Sequence, residues 1–136
     1  MNYKKFRYPV IIKEHHLDIF NHVNNAKYLE IFEEARWEFL HDQGINLSFI
    51  QDTGIGPVVL ECTIQFLKEL KLRQIIWVES QMISYEKKIG LMHQHIIDET
   101  GELCSKAIMT FGVFDLKKRK LILPPSQWLN ALGIES

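Results

Sequence analysis

The segment that precedes the longest helical pattern of the chain concentrates side chains capable of chemistry. Within a short run it contains a carboxylate, an imidazole and several side-chain amides: Asp18, Asn21, His22, Asn24 and Asn25. The first amides of a helix have no partner inside it, and together with the helix dipole they attract negative charge, including the oxyanion formed when an acyl carbonyl is attacked. A carboxylate beside such amides provides the minimum for acyl transfer. Asp18 is therefore the main catalytic candidate, and capping of the turn before the helix is its alternative role.

Other kinds of catalytic centre are not indicated by the sequence. His15, His16, Asp18 and His22 lack the helical H-x-x-x-H spacing of a metal site, and adjacent histidines generally point apart. There is no elbow motif for a serine nucleophile and no glycine-rich phosphate loop. Cys62 and Cys104 have neither C-x-x-C spacing nor an even framework, which is typical of buried free thiols. We therefore predict no metal and no cofactor.

One long amphipathic helix is predicted over residues 25–43. Its apolar positions recur with the helical period at Tyr28, Ile31, Phe32, Ala35 and Phe39. Asn24 or Asn25 can cap the first amides, and Gly44 can adopt the left-handed conformation that ends a helix.

Most of the remaining chain has the pattern of extended strands. The predicted strands are residues 8–13, 58–66, 74–85, 89–98, 102–114 and the short stretch 121–123. Glu99-Thr100-Gly101 predicts a tight hairpin turn, and residues 126–132 predict a short helix capped by Ser126. The order predicts an α+β fold, an antiparallel sheet of five or six strands wrapped around one long central helix, in a single domain over residues 1–136. Its long sheet edges favour dimerisation.

Composition limits the partners of this chain. With 46% hydrophobic and 24% charged residues and a formal net charge of -1, it has the balance of a soluble globular protein and no general attraction to nucleic acid or anionic membranes. The basic amino terminus lacks the apolar segment of a signal peptide, and no stretch approaches the roughly 18 apolar residues that cross a bilayer. We expect a cytoplasmic protein with no membrane span.

The run Asp18-x-x-x-His22-Val23-Asn24-Asn25-x-x-Tyr28, continued by Leu29-Glu30 and Glu33-Glu34-Ala35-Arg36, closely resembles the signature of hotdog-fold thioesterases. That class includes the 4-hydroxybenzoyl-CoA thioesterase-like group, and the likeness is nearest to bacterial long-chain acyl-CoA thioesterases. The resemblance is densest over residues 14–39 and continues more weakly through the strands. It implies a hotdog fold that hydrolyses fatty acyl-CoA of medium to long chain to free fatty acid and CoA, as a homodimer or a homotetramer.

The resemblance also implies roles for individual residues. Asp18 falls on the catalytic aspartate, which acts as nucleophile or as general base toward water. The amides near Val23, Asn24 and Asn25 fall where the family polarises the thioester carbonyl, and Tyr28 closes the same substrate-binding motif. His22 matches a histidine of plant acyl-carrier-protein thioesterases, where it would orient water or the Asp18 carboxylate; a histidine simply hydrogen-bonded within the loop is the alternative.

Further candidates come from more distant parts of the chain. Glu69 resembles a catalytic glutamate of the plant enzymes, although a solvated turn residue explains it as well. Lys87 and Lys88 occupy a region that the family uses for coenzyme A phosphates, although solvated charge in a turn is the usual explanation of such a cluster. The apolar, glycine-punctuated residues 45–57 form a candidate flexible wall of an acyl slot, and ordinary core packing beneath a loop is the equal alternative. Phe20 stands where the plant enzymes have asparagine, which argues against a plant-type Asp-Asn-His arrangement.

Two rival functions remain open at this point. Another hotdog enzyme, such as a dehydratase, would require a histidine and an acid placed for proton transfer on the acyl chain rather than this Asp-x-x-x-His-Val-Asn-Asn run. A non-catalytic module that binds acyl thioesters would keep the fold without the chemistry. Thioester cleavage that depends on Asp18 would distinguish the enzyme from the binding module.

Overall fold

The computed structural model describes residues 3–134, which form one antiparallel sheet with helices packed on it. The strands are β1 (Lys5–Ile11), β2 (Ile55–Phe66), β3 (Ile75–Glu86), β4 (Ile89–Asp98), β5 (Leu103–Asp115) and β6 (Lys120–Ile122). The helices are α1 (Asn25–Asp42), α2 (Leu47–Thr53) and α3 (Ser126–Ala131), with one 3-10 turn at Glu14–His16.

The strand order in the sheet is β1-β3-β4-β5-β2, and β6 pairs with β5. Every pair is antiparallel, so the predicted antiparallel sheet of five or six strands is confirmed. The two edges are formed by β1 and β2, which follow each other along the chain. The connection between them must therefore cross one face of the sheet, and α1 is part of that crossing.

Helix α1 is 18 residues long and lies with its apolar side against the sheet. Asn24 caps its start, because the Asn24 side chain accepts a hydrogen bond from the N–H of Ala26. Phe32 is completely buried, and burial of such a side chain contributes roughly 1.5–3 kcal/mol. Gly44 follows the helix end at φ +88°, a conformation that disfavours residues with a Cβ.

In residues 3–134, no helix combines the length and the apolarity required to cross a membrane.

The two ends of the chain differ in detail from the sequence prediction. The first strand was predicted over residues 8–13, but β1 begins at Lys5 and ends at Ile11. β1 pairs with β3 from Lys5 opposite Gln81 to Ile11 opposite Ile75. This pairing includes charged residues that the local sequence pattern had not predicted to be in a strand. The predicted cap at Ser126 is wrong, because Pro125 occupies the N-cap position and no side chain caps α3.

The segment predicted as a flexible wall contains helix α2. The side chain of Asn46 accepts a hydrogen bond from the N–H of Phe49 at 3.0 Å and starts the helix. Gly54 ends it at φ +72°, and its N–H donates to the carbonyl of Ile50 at 2.8 Å. The segment is therefore partly helical, and its role as a flexible wall of an acyl slot stays a prediction. Asn46 and Gly54 are the cap residues that would have revealed α2 in the sequence.

The hairpin between β4 and β5 has the turn predicted at Glu99-Thr100-Gly101. Gly101 has φ +83°, and its N–H donates to the carbonyl of Asp98 at 3.0 Å. The Asp98 carboxylate accepts from the Thr100 N–H at 2.9 Å and from Lys68 Nζ at 2.8 Å. Asp98 is 3% exposed, so this buried carboxylate organises both the turn and the loop that follows β2.

Candidate active site at the start of α1

The loop that carries Asp18 is a tight turn closed by its own backbone. Leu17 and Val23 form an antiparallel bridge, and the N–H of Asp18 donates to the carbonyl of His22 at 2.9 Å. Asn21 sits at the tip with φ +62°, a left-handed conformation that asparagine tolerates better than most residues. The chain direction is thereby fixed as it enters α1.

One carboxylate oxygen of Asp18 accepts hydrogen bonds from the loop. The other has no protein partner in the described residues. Oδ1 accepts hydrogen bonds from the N–H of Phe20 at 2.8 Å and of His22 at 3.3 Å. Within residues 3–134 no donor contacts Oδ2, and the side chain is partly exposed. The turn-capping role and an oxygen available for chemistry therefore occur together in Asp18.

The backbone amides at the start of α1 are unequally available. The N–H of Val23 donates to Leu70 at 3.4 Å, and that of Asn24 donates to His16 at 2.9 Å. The N–H of Ala26 is taken by the side-chain oxygens of Asn24 and Asn25. In the described part of the chain, the N–H of Asn25 makes no hydrogen bond. Of the three amides predicted to polarise a carbonyl, the one at Asn25 is the one left free.

His22 and Glu69 meet although they are far apart in sequence. His22 Nε2 lies 2.7 Å from Glu69 Oε2, and Lys71 Nζ lies 3.8 Å from the other oxygen of Glu69. Glu69 belongs to the loop between β2 and β3, which the Val23–Leu70 hydrogen bond ties to the start of α1. The fold thus brings Asp18, His22 and Glu69, the three catalytic candidates from the sequence, into one region.

Tyr28 lies in the core rather than on the surface of this region. Its side chain is 4% exposed and packs edge-on against Phe66 with ring centroids 4.9 Å apart. Burial raises the pKa of the Tyr28 hydroxyl to about 12, so the hydroxyl stays protonated at neutral pH. Its predicted role in binding substrate stays a prediction.

Lys87 and Lys88 lie at the opposite end of the sheet from Asp18. The loop containing Asp18 is tied to the start of β3 by the hydrogen bond from Ile12 N–H to the carbonyl of Gln74. The lysines follow the end of β3, whose 12 residues span roughly 35–40 Å at about 3.3 Å per residue. They adjoin a shallow groove with Leu121 and Leu123. Within one chain, they are not part of the same site as Asp18.

A cavity of about 290 Å³ lies beside the second half of α1, in the space between the helix, β2, β5 and α3. Its lining is mostly apolar and includes Trp37, Leu40, Pro57, Met109 and Trp128, with the charged residues Glu33 and Arg36. Pro57 is the one member of the predicted acyl slot, residues 45–57, among the lining residues.

The polar contact that fixes Arg36 in this cavity was missed by the sequence analysis. Arg36 Nη1 donates to Gln94 Oε1 at 2.9 Å, and Gln94 is completely buried. A glutamine in the apolar alternation of β4 was the available signal, since a buried amide requires partners.

The described residues contain no metal centre and no activated thiol. Residues 3–134 hold no group of three or more His, Cys, Asp or Glu side chains placed to bind a metal ion. Cys62 and Cys104 are free, and burial raises the pKa of both thiols, that of Cys104 to about 11. His93 and His95 stack at 4.7 Å on one face of β4, and burial lowers the pKa of each imidazole.

Comparison with known families gives one match that covers most of the chain. The family model described as the thioesterase-like superfamily matches residues 12–132. The match includes the Asp18 loop, α1 and all the strands from β2 to β6.

Individual proteins of known name support the same comparison. The chain is 32% identical to the long-chain acyl-CoA thioesterase FadM of Escherichia coli over 82% of its own length and 84% of that protein. It is 29% identical to the acyl-CoA thioesterase YbgC of Haemophilus influenzae over 90% of each chain. The crystal structure of the probable thioesterase YbaW of Escherichia coli superimposes with a TM-score of 0.82 at 29% identity, covering 94% of this chain and 96% of that one.

Proposed function

The chain belongs to the thioesterase-like superfamily, and we propose that within it this protein is an acyl-CoA thioesterase that releases free fatty acid and CoA from acyl groups of medium to long chain. Its likeness to FadM and YbgC supports the substrate class. Two observations within residues 3–134 carry the proposal: Asp18 keeps one carboxylate oxygen without a hydrogen-bond partner, and Asn25 keeps its backbone N–H without one. The carboxylate can act on the carbonyl carbon while the N–H receives the developing negative charge.

The proposed reaction begins with the thioester carbonyl between these two groups. In one route, Asp18 attacks the carbonyl carbon, the CoA thiolate leaves, and water hydrolyses the resulting acyl anhydride. In the other route, Asp18 takes a proton from water, which attacks the carbonyl and expels the thiolate directly. Either way the N–H of Asn25 stabilises the oxyanion, and the products are a carboxylic acid and CoA.

We assign His22 and Glu69 a positioning task in this proposal. The carboxylate of Glu69 fixes the imidazole of His22 through the 2.7 Å contact to Nε2. The backbone N–H of His22 in turn contacts Asp18 Oδ1 at 3.3 Å. The pair therefore holds the turn that presents Asp18, and the remaining ring nitrogen can orient the attacking water.

A second copy of the chain is part of the proposal. The edge strand β2 is 12 residues long and exposes Val59, Leu60 and Phe66, whereas β1 carries Lys5, Arg7 and Pro9, which protect an edge from pairing. We place the dimer contact at β2, next to α1. The Lys87 and Lys88 of one subunit would then serve substrate bound at the Asp18 of the other.

We also propose a fold, a domain extent and a cellular location for this protein. The sheet curls around α1 as the central helix of a hotdog fold, supported by the buried side chains along that helix, and residues 1–136 act as a single domain in the cytoplasm. The proposed assembly is a homodimer, and a homotetramer of two such dimers is the alternative.

Asp18→Asn tests the proposed function directly. With palmitoyl-CoA and a thiol reagent, we expect the wild-type protein to release CoA thiol and the variant to lose about 100-fold or more of that rate. Asparagine keeps a side-chain oxygen for the N–H groups of Phe20 and His22, so the loop is retained. Asp52→Asn, an exposed residue of α2, is the matched control.

Two results would contradict the proposal. No thiol release from any member of a panel of acyl lengths, with tight binding of acyl-CoA, would favour the non-catalytic binding module. Full activity of Asp18→Asn would move the chemistry to other residues. The same panel measures the preferred acyl length.

A further inference from the structure

Arg36, a charged group in the cavity beside α1, uses only part of its hydrogen-bonding capacity within residues 3–134. A guanidinium carries five N–H donors, and the contact made by Arg36 within residues 3–134 is the 2.9 Å bond from Nη1 to Gln94 Oε1. Glu33, the other charged lining residue, is exposed, and no ion pair joins it to Arg36 in this part of the chain. The remaining donors of Arg36 therefore lack a protein acceptor.

The orientation of Arg36 is set by a buried network rather than by solvent. Gln94 is completely buried, and its Nε2 donates to the carbonyl of Phe32 at 3.1 Å and to Ser80 Oγ at 2.9 Å. With both amide hydrogens used, the oxygen of Gln94 must face Arg36. Burial lowers the pKa of Arg36, yet an arginine remains charged at neutral pH. An oriented positive charge thus lines an otherwise apolar cavity.

The cavity lies beside the second half of α1, and Asp18 lies in the loop before its first residue. Tyr28 contacts Phe66 at the end of β2, whereas Trp37 and Leu40 share the cavity with Pro57 and Val59 near the start of β2. Helix and strand therefore run antiparallel beside each other. Arg36 is 11 positions beyond Asn25 in the sequence, which corresponds to roughly 16 Å along the helix at 1.5 Å per residue.

We propose that this cavity receives the distal end of an acyl group that ends in a carboxylate, and that Arg36 binds this carboxylate. The inference rests on the proposed function, because it names a substrate class for the same site. A planar guanidinium matches the two oxygens of a carboxylate, and an apolar lining suits the methylene chain that precedes them. The donors of Arg36 that Gln94 does not use are not sealed from solvent, so a bound carboxylate would replace water at the guanidinium.

The kinetic test compares two thioesters of equal chain length, sebacoyl-CoA with a terminal carboxylate and decanoyl-CoA with a terminal methyl. Hydrogen bonds to charged groups predict that Arg36→Met lowers the ratio of kcat/KM for sebacoyl-CoA over decanoyl-CoA by about tenfold to a hundredfold. Glu33→Gln removes a repelling charge and should raise the same ratio. Arg7→Met, which removes an exposed positive charge on β1, is the matched control and should leave it unchanged.

A binding test on the full-length wild-type chain does not depend on turnover or on the folding of a variant. Trp37 and Trp128 line the cavity, so tryptophan fluorescence can report binding of decanoate and of decan-1-ol, which differ only in the end group. We expect decanoate to bind at least tenfold more tightly. Arg36→Lys, which keeps the charge but loses the planar fork, should reduce that preference.

The outcomes separate this inference from the proposed function. An equal ratio of the two thioesters in the wild type and in Arg36→Met, or equal binding of decanoate and decan-1-ol, would overturn the carboxylate site while thioester hydrolysis stands. Hydrolysis of neither thioester, together with a preference for decanoate that Arg36→Met abolishes, would refute the thioesterase proposal and keep the carboxylate site.

Discussion

The Nε2 atom of His22 and the Oε2 atom of Glu69 are 2.7 Å apart and join the loop before α1 to the loop between β2 and β3. Their side chains are 48% and 47% exposed, and ion pairs at such exposure contribute about 0–1 kcal/mol to stability. The contact therefore adds little to the stability of the fold, and we propose that it serves to place the Asp18 turn.

Glu69→Leu, which removes the acceptor for His22 Nε2, should reduce catalysis much more than stability. We expect kcat to fall by about tenfold to a hundredfold, because small misplacements of reacting groups have effects of that size. KM and the free energy of unfolding should change little, the latter by less than about 1 kcal/mol. The measurements are thiol-release kinetics and urea unfolding. Lys71→Met, which removes the 3.8 Å neighbour of Glu69, is the control, and a loss of activity explained entirely by unfolding would contradict the positioning role.

Asn25→Pro should remove the proposed oxyanion donor without breaking α1. Proline is favoured at the first position of a helix, and it lacks the N–H. The preceding residue must be extended, and Asn24 already is, with φ -61° and ψ 139°. We expect kcat to fall by about 100- to 1,000-fold, as for the loss of one oxyanion donor. Asn25→Ala keeps the N–H and is the matched control; equal activity of the two variants would exclude this amide.

Subunit mixing should reveal whether Lys87 and Lys88 act in trans. The Asp18→Asn variant and a variant with both lysines changed to methionine should each be impaired, the second mainly through a higher KM. Mixed dimers contain one site that combines an intact Asp18 with the lysines of the other chain, so activity should recover on mixing after unfolding and refolding together. Absence of recovery, in dimers shown to be mixed, would remove the lysines from the site.

Asp98 should make the stability of the fold sensitive to acid. Hydrogen bonds from Lys68 and then from Thr100 hold the pKa of the Asp98 carboxyl well below its ordinary value of 3.8. A carboxyl with a lowered native pKa stabilises the fold above its unfolded pKa, and this contribution is lost as the pH falls. The free energy of unfolding of the wild type should therefore decline more steeply than that of Asp98→Asn between about pH 5 and pH 2.

Urea titrations at a series of pH values provide this measurement. Asp52→Asn, at an exposed position, should follow the wild-type curve. Parallel curves for the wild type and Asp98→Asn would show that the contacts of Asp98 with Lys68 and Thr100 do not persist in solution.

Local sequence patterns predicted most of the regular elements. The apolar period of residues 25–43 and the cap at Asn24 gave α1 nearly to the residue, and β4 was predicted with the bounds it has, Ile89–Asp98. The same kind of information failed for β1, whose extent depends on its partner β3, and for α2, whose cap residues Asn46 and Gly54 were not recognised as helix ends.

What the sequence by itself determined was the Asp18 loop, the helix that follows it and the antiparallel strands, because turns, caps and periodicity act between neighbours in the chain. Only the tertiary structure decided that His22 meets Glu69, that the Asn25 amide is the one left free, and that Arg36 is held by Gln94. Those contacts join distant segments, and their partners are chosen by packing and by the hydrogen-bonding needs of groups removed from water. No local pattern contains that information.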